Sequence, residues 1–170
     1  MLYLLSNSCI YRAHFKCIIG YSGRDFSPHY ATAFSMKLCQ KLFIECFSAV
    51  RAVPELLKEE EGLGAHTGVI MLLPSIGVQY FWCHDSIRPC GEQFPLQCPE
   101  CLAIRTLRFS KTKDPWRFAA RCICGWRMEH NTGKINVKFP ESGKGWGSEM
   151  LYGSEQDLEV LRKAPREGSV

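Results

Sequence analysis

No stretch of this 170-residue chain reaches the roughly 18 uninterrupted apolar residues that a membrane-spanning helix requires. The longest apolar candidate is broken by Lys37, Lys41 and Glu45, so no membrane partner is expected. The first apolar run, Leu2–Leu5, lacks the basic segment and small-residue cleavage site of a secretory leader. A phosphate cradle is missing too: "GYSGRD", Gly20 to Asp25, has two glycines and no following lysine. No internal repeat is present, which sets aside solenoids and propellers.

Cysteine, by contrast, is abundant. Ten cysteines in 170 residues is a high count, yet it falls below the density of small secreted disulfide scaffolds. Without a leader, the expectation is an intracellular protein, nuclear or cytoplasmic and not secreted, with reduced thiols. A composition of 46% hydrophobic and 12% aromatic residues suits a globular chain. The net charge of +4 is unevenly spread, because residues 141–170 carry four Lys/Arg against six Asp/Glu and the first 140 therefore hold +6. That asymmetry hints at a polyanionic partner.

"FKCIIGY", Phe15 to Tyr21, is a short, partly β-branched apolar run closed by Ser-Gly, the pattern of a buried strand and its turn. Ser27-Pro28 reads as a helix start, with Ser as N-cap and Pro in the first turn. From there the pattern predicts one helix to about Val53, its apolar stripe formed by Phe34, Leu38, Leu42, Cys46 and Val50. Cys39 and Cys46 fall on one face of that helix and are expected in the core. Pro54 opens a second short helix that Gly62 and Gly64 end. Gly68–Leu73 and Val78–Cys83, separated by "PSIG", read as two neighbouring strands. Residues 86–96 are a Pro- and Gly-bearing loop, and the Gly-, Ser- and charge-rich stretch 141–170 is expected as a flexible tail with a turn or two of helix near Gln156–Arg162.

The densest chemistry lies between Gln97 and Trp126. Cys98 and Cys101 are separated by two residues, and twenty residues later Cys122 and Cys124 are separated by one. Two close thiol pairs at the ends of a hairpin supply the tetrahedron that structural zinc takes. The intervening "LAIRTLRFS" and "WRFAARC" are strand-like and "KTKDP" is a turn. Along the second strand Trp116, Phe118, Ala120 and Cys122 share one face, and Arg117, Ala119 and Arg121 the other. The arrangement resembles a zinc ribbon, which implies a structural Zn2+ held by Cys98, Cys101, Cys122 and Cys124. It departs from the ribbon pattern in the single residue between Cys122 and Cys124, where ribbons have two. That departure leaves open whether Cys122 and Cys124 both reach the metal or whether Cys83, His84 or Cys90 replaces one of the four. Four cysteines close the metal's shell and leave no position for water, so the metal is expected to be structural and the protein not an enzyme.

Between Leu102 and Met128 stand seven Lys/Arg and one acid, Asp114. Interleaved aromatics make Arg105, Arg108, Lys111, Lys113, Trp116, Arg117 and Arg121 candidates for nucleic-acid contact, with phosphates meeting cations and bases meeting rings. A protein partner fits the same surface, and so does a simply solvated face. No small-molecule substrate is implied. "YFWCHDSIRPCGE" places Cys83, His84, Asp85 and Cys90 together, which suits core thiols or a completing ligand better than a nucleophile. "EHN", Glu129–Asn131, carries little signal alone.

Two weaker resemblances complete the sequence picture. "CIIGYSGRDFSPHYATAFSMKLCQKLF" is similar to the late part of caspase-like domains, which would make the chain a catalytically inactive hydrolase fragment with an appended ribbon. "IRPCGEQFPLQCPECLAIRT" is similar to uncharacterised proteins of mushroom-forming fungi, which implies no activity. The expected architecture is α+β: an N-terminal segment 1–14, a small α/β sheet-and-helix unit over 15–85, a zinc-ribbon-like antiparallel hairpin module over 86–140, and the tail. The expected function is that of a zinc-binding interaction protein.

Overall fold

The computed structural model describes residues 16–22, 27–84, 88–92, 94, 97–114, 117–133, 137–140 and 144–163. The fold is α+β, with helices and two antiparallel sheets. It divides into two compact units, one formed by the chain up to Phe81 together with the residues from Ser148 onward, the other by Trp82–Gly147. No described helix is long and apolar enough to cross a membrane.

In the first unit, strand β1 (Ile18–Ser22) lies antiparallel to β2 (Gly68–Leu72), with Ile18 opposite Leu72 and Ser22 opposite Gly68. Strand β2 continues into the hairpin with β3 (Gly77–His84), Val69 facing Tyr80. Both strands of this hairpin fall where the apolar runs predict them. Strand β1 is half-buried rather than fully buried, because it flanks the sheet as an end strand. Thr67, fully enclosed, donates its hydroxyl to the Ser22 carbonyl at 2.6 Å and so ties β1 to the start of β2.

Helix α1 (Pro28–Cys39) begins after extended Ser27. The single helix expected to Val53 is interrupted. The winding loosens into a π turn at Gln40–Ile44, and Cys46 then takes a left-handed φ of 54°. Phe47 donates its backbone N–H to the Lys41 carbonyl at 2.9 Å, six residues back, so the chain closes around left-handed Cys46 one residue wider than the usual six-to-one bond of a helix C-terminus. Glycine usually holds that position, and its absence here hides the break from a sequence reading. As a result Cys39 and Cys46 are exposed rather than in the core. A new helix, α2 (Ala49–Glu59), starts after Ser48 and carries Pro54 within it rather than at its head. Helix α3 (Glu61–His66) follows. Phe34, Leu38, Val53, Leu56, Leu57 and Leu63 supply the helical side of the core, and Val69, Met71, Ile76 and Val78 the strand side.

The second sheet has the order β4 (Arg108–Lys111), β5 (Arg117–Arg121), β6 (Arg127–Asn131), all antiparallel. Phe118 and Ala120 are fully buried on one face while Arg117 and Arg121 are exposed on the other, as the alternation of β5 predicts. The expected hairpin is thus extended by a third strand.

The five-stranded sheet is completed by β7 (Val137–Lys138) and β8 (Lys144–Tyr152), in the order β1-β2-β3-β8-β7. Residues 144–163, whose composition suggests a flexible tail, form β8 and then helix α4 (Glu155–Lys163). Local chemistry explains this order. A Cβ added at Gly77 would lie 2.3 Å from the Tyr152 ring, so only glycine admits that ring, whose hydroxyl donates to the Leu73 carbonyl at 2.7 Å. Ser154 then caps α4, since its Oγ accepts the Asp157 N–H at 3.2 Å while the Asp157 carboxylate accepts the Ser154 N–H at 3.2 Å. This reciprocal pairing satisfies amide donors that would otherwise lack partners. Leu158 is buried beneath the helix.

Candidate metal centre

Each cysteine pair sits in a tight backbone turn, and each turn is built by identifiable hydrogen bonds. At the first, Leu102 N–H reaches the Cys98 carbonyl and Cys98 N–H the Ala103 carbonyl, both at 3.0 Å. Leu102 and Arg105 take left-handed φ values of 59° and 57°, a conformation that costs non-glycine residues about 1–3 kcal/mol and persists where surrounding structure enforces it. At the second, Gly125 N–H reaches the Cys122 carbonyl at 3.1 Å and Cys122 N–H the Trp126 carbonyl at 2.9 Å. Gly125 has a φ of 96°, accessible to glycine at no steric cost.

The turns bring the four sulfurs within 4.8 Å of one another. Cys98 Sγ lies 3.8 Å from Cys124 Sγ, and Cys101 Sγ lies 3.6 Å from Cys122 Sγ. A tetrahedron with metal–sulfur bonds of about 2.3 Å has edges of about 3.8 Å. A disulfide needs about 2.05 Å, and all four thiols are free. Cys122 and Cys124 both lie in the group, because the Cys122–Gly125 turn closes with one residue between the two thiols. Among the described residues this is the only such group of metal-ligating side chains, and Cys83, His84 and Cys90 are not part of it.

The electrostatics of the cluster follow from its hydrogen bonds. The Thr106 hydroxyl, 3.1 Å from Cys122 Sγ, and the backbone N–H of Cys124 lower the Cys122 thiol to about 6. The Trp126 N–H pulls Cys124 the same way, but burial and the neighbouring thiols of Cys122, Cys101 and Cys98 outweigh it and push Cys124 up to about 12. Cys101 is likewise raised: the Ala103 N–H lowers it, and burial with the thiols of Cys122 and Cys98 prevails. One thiolate forms readily in this site, and further negative charge there is opposed by the first. A divalent cation among the four sulfurs would reverse that opposition. The soft, all-sulfur donor set suits zinc among the common divalent ions.

No family model matches the chain, and neither does any curated protein or solved structure.

The likenesses to caspase-like domains and to proteins of mushroom-forming fungi gain no support from those comparisons. The site therefore rests on its own geometry. Cys98 and Cys122 are buried, Cys101 and Cys124 exposed, so the cluster lies partly at the surface. Leu102, Ile104 and Ile123 at the two turns stand 63%, 67% and 77% exposed.

The cations expected to meet nucleic acid occupy different places. Arg108, Arg117 and Arg121 are exposed on the strands, Arg105 and Lys113 are exposed in turns, and Lys111 ends β4 opposite Phe118. Trp116 lies outside the described residues. Arg117 Nε is 3.7 Å from the Asp114 carboxylate. Phe109 and Phe118 do not interleave with these cations. They pack with Phe94 and His130 under the sheet, at centroid distances of 4.9–6.0 Å. The sequence reading has no place for β6, so it counts Arg127 among the cations without placing it on a strand and does not find Met128 and His130 as inward residues. The period-two pattern of "RMEHN" was the available signal.

Proposed function

We propose that this chain is a zinc-binding, non-catalytic interaction protein whose three-stranded sheet is a metal-stabilised platform for a macromolecular partner. The sulfur spacing carries this reading: the four thiols lie within 4.8 Å of one another, and the Cys98–Cys124 and Cys101–Cys122 separations of 3.8 and 3.6 Å match the edge of a zinc tetrathiolate. Zinc held by all four would keep the two turns, and through them the ends of β4 and β5, in fixed geometry. A four-sulfur shell leaves no coordination position for an activated water, so the metal would serve structure. Glu100, exposed in the first turn, has no open metal site to assist. Two exposed features are available for a partner, the cationic outer face of the sheet and the apolar side chains at the turns.

The test is metal content per chain, measured on protein purified under reducing conditions without added zinc. About one zinc per chain, lost in the Cys98→Ser variant, is the expected result. A folded parent without metal would sink the reading.

A further inference from the structure

The outer face of β4-β5-β6 contains a feature that single-strand periodicity does not reveal. In the sheet register Arg108 on β4 is directly opposite Arg121 on β5, and Arg121 is directly opposite Arg127 on β6. Directly opposed residues of an antiparallel sheet project from the same face. All three arginines are exposed. They form a straight row across the sheet, with steps of about 5 Å. Like charges opposed in this way destabilise a sheet, so the row costs the fold something that a mixed pair would not.

The rest of that face narrows the partner. The next row is Ser110, Ala119 and Glu129, and beyond it Arg117 is paired with Asn131. Ala119 is the one apolar residue on these rows, and Phe109, Phe118 and His130 are on the other face. A protein interface is built around apolar and aromatic anchors, and base stacking needs exposed rings. The described rows of this face offer neither. They offer a line of guanidinium groups, which pair with phosphate oxygens in a bidentate manner. A nucleic-acid backbone, with duplex charge repeating about every 1.7 Å along its axis, meets such a row without needing matched register.

We propose that the Arg108–Arg121–Arg127 row is a phosphate-backbone site that binds duplex nucleic acid through charge, without base stacking or base selection. This rests on the platform reading above. Three phosphate contacts predict a salt slope of about −2.7, so affinity for a mixed-sequence DNA duplex should fall about 40-fold over a fourfold rise in salt.

The experiment uses the full chain as purified, its metal content measured alongside binding. Changing Arg108, Arg121 and Arg127 together to Gln should abolish nearly all of that slope, and each single change should remove about 0.9 of it. The control is a matched charge removal at Lys58→Gln, on α2, which should leave the slope unaltered. Two duplexes of different sequence should bind equally, and polyglutamate and anionic phosphatidylserine vesicles should bind no better in the parent than in the triple variant. The proposal is overturned if the triple variant, retaining its metal, keeps the parental slope, or if Lys58→Gln lowers the slope as much as a row substitution. It is also overturned if polyglutamate or the vesicles depend on the row more than the duplex does, which would assign the face to an acidic protein or a lipid surface. Loss of the duplex result with zinc retained removes the site and leaves the platform, whereas absence of zinc from the folded parent removes the platform itself.

Discussion

In the unit that runs to Phe81 and resumes at Ser148, fully enclosed apolar side chains come from helices and strands alike: Phe34, Val53, Leu57, Leu63, Val69, Met71, Ile76 and Val78. In the other unit, the largest fully enclosed side chains among the described residues are Phe118 and Cys98. The first unit buries enough surface to hold itself by the hydrophobic effect. The second has a sheet of three short strands, a handful of rings and a knot of thiols. A small sheet with so little core ordinarily needs a metal or a cross-link to persist. The difference teaches where a metal would matter: on the zinc reading proposed above, the thiols would stand in for apolar volume that is sparse among the described residues of the second unit.

That comparison can be broken most directly at the thiols. Structural zinc in small domains is worth about 10–16 kcal/mol of apparent binding energy, more than a module of this size could lose. Cys98→Ser, or a strong chelator, should therefore strip amide protection from β4, β5 and β6 while the amides of β1, β2 and α1 stay protected. Hydrogen exchange read residue by residue decides this, and loss of protection in both units together would erase the distinction.

Core truncation should give a smaller effect in either unit. Phe34→Ala and Phe118→Ala each remove a side chain that is 0% exposed, at a cost of about 3–5 kcal/mol. With zinc bound, Phe118→Ala should be tolerated by the second unit, whereas Phe34→Ala should lower the melting temperature of the first by several degrees. Calorimetry at saturating zinc checks the pair, and equal melting shifts would show that the metal does not compensate for the missing core.

The smallest effect concerns protons. In the metal-free protein Cys122 sits at about 6 against an ordinary 9.0, so its contribution to stability is full above pH 9.0 and is lost as pH falls through about 6. Cys124, pushed to about 12, has the opposite sign: its contribution is present below pH 9.0 and is lost as pH rises through about 12. Zinc uptake should therefore release one more proton per metal at pH ~5 than at pH ~7, because Cys122 has regained its proton at the lower value. Titration calorimetry in buffers of different ionisation enthalpy measures this number, and no change between the two pH values would contradict the assigned thiolate.

Much of the first unit was legible because its strands are apolar runs and its first helix opens on Ser-Pro. The break at Cys46 was not, since apolar spacing continues through it and the left-handed residue is not glycine. Strand β8 was hidden by its glycines at 145 and 147, which read as loop; what orders it is the Tyr152 ring on Gly77, a contact between residues far apart in sequence. The capping pair Ser154 and Asp157 was written in the sequence and undervalued beside the surrounding charge. At the thiol cluster, spacing singled out the four residues that come together and left open the turn at Cys122, where Gly125 permits a tighter closure than a ribbon's usual gap. The arginine row was invisible to any reading of one strand at a time, because it exists only in the register between three.

Strands β3 and β8 are neighbours in the five-stranded sheet, and the whole of Trp82–Gly147 is spliced between the halves of the other unit. Because the first unit draws Leu158 into its core from beyond that stretch, a chain emerging from the ribosome completes the first unit only after the cysteine-bearing residues have been made.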